Sequence, residues 1–148
     1  MEKTRYNLKI TSICILLVTA FRLVSNIFNF FNGGLEVTSD MIPEGYTKEM
    51  VYITLVVMGV ISLLALLPSI YMGIKGLKIA KNPDTSKAHI VWAMILLVLT
   101  AISILSAIGE MAKSADLIMD ILGVAALVCS GLLYGFYYWE AKQIRANC

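Results

Sequence analysis

Four apolar runs divide the chain, at about residues 8–31, 50–74, 90–108 and 117–139, separated by short polar stretches. A helix needs roughly 20 apolar residues to cross the hydrocarbon core of a bilayer, and each run is of that order. A backbone in lipid must also satisfy its own polar groups, which a helix does within one segment. The pattern therefore predicts an all-α, polytopic integral membrane protein. Its architecture is a four-transmembrane-helix bundle of two antiparallel helical hairpins. The connections are too short to fold alone, so 1–148 reads as a single four-helix transmembrane domain. The first run is longer than a signal peptide's apolar region and passes through Arg22 without a small-residue cleavage site. It reads as a retained helix.

Several polar positions refine the boundaries. Gly33-Gly34 ends the first run, and Thr47 stands where it caps the second, with Glu49 in the favourable first turn. Pro68 falls well inside the second run, where it removes one backbone hydrogen bond and opens the helix locally. Asn82-Pro83-Asp84 stops that run, and Thr85 or Ser86 then caps the third. A faint internal repeat links the two hairpins. Thr19-Ala20 through Ile27 aligns with Thr100-Ala101 through Ile108, and Gly59-Val60 with Gly123-Val124. The stretch Gly73-Ile74-Lys75-Gly76-Leu77-Lys78-Ile79-Ala80-Lys81 resembles helix ends that precede a basic loop in small bacterial four-helix membrane proteins. That resemblance implies no activity and no site residue.

Composition agrees with the pattern: 59% of the residues are hydrophobic, against about 45–50% in soluble domains. Charge adds an orientation. Of the twelve lysines and arginines, nine lie on one side: Lys3, Arg5 and Lys9 at the start of the first run, Lys75, Lys78, Lys81 and Lys87 between the second and third, and Lys142 and Arg145 after the fourth. The loop at 32–48 is acidic, with Glu36, Asp40 and Glu44. The positive-inside rule places both termini and the basic loop in the cytoplasm and the acidic loop outside. A multi-pass protein of the plasma or inner membrane is expected, N-in and C-in. Its partners are the lipid bilayer, with anionic headgroups at Lys75, Lys78 and Lys81, and either a second copy or a larger membrane protein. A net charge of +2 gives no case for nucleic acid.

The chemistry that stands out is one polar face on the first helix. Arg22, Asn26 and Asn29 fall at i, i+4 and i+7. Arg22 lies thirteen residues beyond Lys9, about 20 Å along the helix. A guanidinium near the bilayer centre costs roughly 2.5–3.5 kcal/mol on insertion scales unless it is paired. Asp120 and Glu110 are the acids that the third and fourth runs bring to that level, and Ser103 offers a further hydroxyl. Arg22, Asn26, Asn29, Ser103, Glu110 and Asp120 thus form an expected intramembrane polar cluster, either a ligand pocket opening outward or a structural lock. Gly123, Gly131 and Gly135 form a small-residue face on the fourth helix suited to helix packing.

Catalytic signatures are missing from this pattern. His89 is the one histidine, the cysteines Cys14, Cys129 and Cys148 have no metal or redox spacing, and no serine sits in a nucleophile motif. No cofactor and no metal is expected. The reading is a small non-enzymatic membrane protein acting by association, as an accessory subunit or homo-oligomer. The alternative is a small transporter or channel-like carrier built around Arg22, Asp120 and Glu110.

Overall fold

The structure is a computed structural model. It describes residues 2–33, 42, 45, 47–82, 86–111 and 117–147, without the side chains of 29, 30, 32, 33, 110, 111 and 117–120. The described residues form helices and no strand: α1 (Glu2–Gly33), α2 (Lys48–Leu64), α3 (Leu67–Lys81), α4 (Ala88–Met111) and α5 (Leu117–Ala146). Four helical stretches are long and apolar enough to cross a membrane: Glu2–Phe28, Lys48–Lys81, Ala88–Gly109 and Ile121–Ala146. They match the four apolar runs.

The second stretch is divided where proline requires it. Pro68 has no N–H to offer the carbonyl of Leu64, and its ring crowds the preceding turn. The ladder tightens just before it: Ala65 N–H bonds to the Ile61 carbonyl at 3.0 Å, and Leu66 N–H to the Leu63 carbonyl at 3.1 Å. Helix α3 then restarts with Pro68 in its first turn, where no intrahelical donor is needed. At the other end of α2, the Thr47 hydroxyl accepts the Met50 N–H at 3.3 Å. Both features follow from the sequence positions of Pro68 and Thr47.

The chain divides into two compact units, Met1–Leu16 with Pro68–Cys148, and Leu17–Leu67. In the second unit α2 has no buried residue, and the hydroxyls of Thr54 and Ser62 bond back to the Met50 and Gly59 carbonyls of their own helix. Such local bonds let a polar side chain sit on an apolar surface without an outside partner.

The first unit holds a core to which four helices contribute. Leu8 and Ile15 come from α1, Met72 and Ile79 from α3, Ile90 and Ala93 from α4, and Tyr134, Tyr137, Ala141 and Ile144 from α5. Within each helix these positions are spaced three, four or seven residues apart, so each helix presents one face. The contacts also give the helix directions. Leu16 packs at Gly73 and Ser12 at Gly76, so residue numbers rise in α1 as they fall in α3: the two are antiparallel. Tyr134 meets Ser69 and Tyr137 meets Met72, both separated by 65 residues, so α3 and α5 are parallel and in register. Gly131 faces Thr100 and Gly135 faces Leu97, which makes α4 and α5 antiparallel.

Glycine matters most in α3. A Cβ on Gly73 would lie 2.5 Å from Leu16 Cγ, and one on Gly76 would collide with Ser12 Oγ and stand 2.6 Å from Tyr137 Cε2. By contrast, a Cβ on Gly123 would meet nothing within 4 Å. Gly76→Ala is therefore expected to destabilise the protein by about 1–3 kcal/mol through overpacking against a rigid ring. Gly123→Ala should stabilise it by about 0.5–1 kcal/mol, the helix preference of alanine over glycine. Thermal unfolding of the two variants in detergent checks the contrast.

Candidate functional site

The first unit buries a seam of polar side chains at the end where the basic residues gather. It starts from α1, where Thr11 and Ser12 follow Leu8 on the inward face. Ser12 donates to the Leu8 carbonyl at 2.7 Å, which spends its proton locally and leaves it compact enough to lie against Gly76. The Thr11 hydroxyl lies 3.1 Å from the Asn7 carbonyl and donates to Glu140 Oε2 at 3.0 Å. Glu140 is 8% exposed. This bond ties α1 to α5.

Helix α5 supplies Tyr134, Tyr137 and Glu140, which fall on one face with the buried Ile144. Tyr137 is fully buried, and its hydroxyl donates to the Met72 carbonyl at 2.9 Å. One turn away, the Tyr134 and Ser69 hydroxyls share a hydrogen bond of 2.9 Å. His89, at the start of α4 and 1% exposed, stands in a T-shaped contact with Tyr137, with ring centroids 6.1 Å apart and planes at 85°. That edge-to-face arrangement is the favoured one for aromatic pairs. Buried hydroxyls that find partners add about 1 kcal/mol each, and leaving one unpaired costs about 1–3 kcal/mol. The seam thus acts as a set of specific ties between helices.

The sequence-predicted cluster stands as follows. Arg22 and Asn26 are half-buried in the unit Leu17–Leu67. Ser103, in the other unit, is exposed and bonds back to the Leu99 carbonyl at 3.0 Å. The side chains of Asn29, Glu110 and Asp120 lie outside the described residues, and with them the expected pairing of Arg22. Among the glycines of α5, a Cβ on Gly131 would lie 3.5 Å from Thr100 Cγ2 and one on Gly135 3.9 Å from Leu97 Cδ1, ordinary contacts, while Gly123 faces open space. Gly131 and Gly135 also line an apolar cavity of about 600 Å³ between α4 and α5, open on one side and bordered by Leu97, Leu132, Phe136 and Trp139.

Sequence reasoning passed over Glu140 and Tyr137. The available signal was the i, i+3, i+6 spacing of Tyr134, Tyr137 and Glu140, with Thr11-Ser12 at the matching end of the first helix. The structure turns Tyr134 and Tyr137 inward and leaves Trp139 exposed.

Substitutions in the seam should rank by what they leave unpaired. Thr11→Val strips Glu140 of its donor and is expected to cost about 1–3 kcal/mol. Tyr137→Phe loses one hydrogen bond, about 1 kcal/mol. Glu140→Gln keeps an acceptor for Thr11 and should change stability least. Unfolding midpoints in detergent give the order.

Compared with known protein families, curated proteins and solved structures, the chain matches none of them.

Proposed function

We propose that this is a multi-pass membrane protein that works by association, as an accessory subunit of a membrane complex or as a homo-oligomer, with no catalytic role of its own. One observation carries the reading. Three hydrogen bonds tie buried polar groups of the first unit across helices, Thr11 to Glu140, Tyr137 to the Met72 carbonyl and Tyr134 to Ser69, while large apolar side chains cover much of the open surface of α4 and α5. Ile102, Leu105, Leu122 and Phe136 are all more than half exposed. Groups tied in this way give fixed helix register, and an apolar exterior gives lipid and partner contact.

The reading places both termini and the basic loop in the cytoplasm and the protein in a plasma or inner membrane. The basic residues Lys3, Arg5 and Lys9, then Lys75, Lys78, Lys81 and Lys87, then Lys142 and Arg145 support this orientation. The alternating directions of α1, α3, α4 and α5 within the first unit are those of a chain that crosses back and forth, and the basic residues alone supply the side.

Two measurements test it. In a background without native cysteines, Thr47→Cys should react in intact cells with a membrane-impermeant maleimide, and Lys87→Cys only after permeabilisation; the reverse overturns the orientation. In dilute proteoliposomes or native membrane, the full chain should run as more than one copy or with one partner at fixed ratio. Single copies in both settings, with nothing held at fixed ratio, overturn association.

A further inference from the structure

The groove between α4 and α5 differs from the rest of the apolar surface in two ways. It is concave, with a volume of about 600 Å³, because Ala101, Gly131 and Gly135 leave its floor without bulk. It also ends at charge. Along α5, Gly135, Trp139 and Lys142 fall at i, i+4 and i+7, so Lys142 continues the groove's line beyond Trp139. Lys142 and, one turn on, Arg145 are both exposed. Lys142 Nζ stands 5.7 Å from the centre of the Tyr138 ring, a cation–π distance. From Val128 to Trp139 the lining runs eleven residues along α5, or about 16 Å.

We propose that this groove seats one acyl chain of an anionic phospholipid, whose phosphate is bound by Lys142 beside Tyr138 and Trp139. The inference rests on the membrane reading above. An apolar trough of this length that ends at the Trp139 indole, with Lys142 the next residue on the same helix line, is complementary to a chain with a negative headgroup. Basic sites between helices on the cytoplasmic side recognise phosphate headgroups by this chemistry. A second copy fits less well. Around a two-fold axis the same patch meets itself, which sets Lys142 and Arg145 of one copy against those of the other, a like-charge contact that disfavours the pairing.

The closing experiment uses the full chain carrying Trp92→Phe, so that Trp139 is the sole tryptophan. It is reconstituted into phosphatidylcholine vesicles with either bromo-acyl phosphatidylglycerol or bromo-acyl phosphatidylcholine as quencher. The phosphatidylglycerol is expected to quench Trp139 with about fivefold preference, the effect of one lysine near an anionic surface. Lys142→Ala, an exposed position that leaves the fold intact, should remove most of that preference. Gly131→Leu, which fills the floor, should reduce quenching by both lipids. Equal quenching by the two lipids overturns the site, leaving bulk lipid contact. Weak quenching by both, together with disulfide cross-linking of Leu132→Cys between copies, overturns it in favour of a second copy. Failure to enter vesicles of either composition is a separate result: it sinks the membrane reading on which the site depends.

Discussion

The close approach at Gly76 is the constraint on which the first unit depends. Ser12 of α1 and Tyr137 of α5 both occupy space that any side chain on residue 76 would claim. Once Tyr137 is admitted there, its hydroxyl reaches the Met72 carbonyl, and the parallel register of α3 and α5 then brings Tyr134 to Ser69. Ser12 is suited to the position because its proton is already spent on Leu8. A larger or unsatisfied group would hold the helices apart, and the tie from Thr11 to Glu140 would lengthen with them. One missing Cβ therefore governs three interhelical contacts.

The energetic logic differs from that of a soluble core. In lipid, an apolar side chain loses little by facing the acyl chains, so burial alone does not assemble helices; close packing and interhelical hydrogen bonds do. That accounts for a core in which tyrosines, serines and a glutamate stand among Leu8, Ile15 and Met72. Each interhelical bond is worth only about 0.6–2 kcal/mol in such surroundings, so several must act together. The same logic explains why so much of α2, α4 and α5 is exposed within the chain: those faces need no burial to be stable in a bilayer.

How much of this was legible depends on how costly each residue is in lipid. The spans were readable because length and apolarity are strong constraints, and the opening before Pro68 because a missing N–H has few remedies. Arg22 drew the eye since a guanidinium at depth is expensive, and its surroundings led to Asn26, Asn29, Ser103, Glu110 and Asp120. Hydroxyls are cheap, because serine and threonine can bond back to their own helix, as Ser12, Thr54 and Ser103 do. Thr11 and Ser69 therefore gave no sign that they were interhelical. Glu140 follows Trp139 at the end of an apolar run and reads as a solvated residue; only the packing of α1 buries it. The glycines divide the same way. Gly131-x-x-x-Gly135 has a familiar packing spacing and meets α4 in ordinary contacts beside an open groove, whereas Gly73-x-x-Gly76 reads as a helix end and holds the closer contacts.

The tie between Thr11 and Glu140 has a consequence for the order of events during synthesis. Its partners are 129 residues apart, so α1 leaves the ribosome long before the side chain that completes it exists. Contacts of such separation form late and carry the largest loop-closure cost. Within α1, the Asn7 carbonyl stays in reach of Thr11 and the Leu8 carbonyl in reach of Ser12, bonds the helix can make unaided. These local bonds act as placeholders that keep the nascent helix tolerable in lipid. The arrival of α5 then brings Glu140 to the waiting Thr11 hydroxyl and closes the unit from its far end.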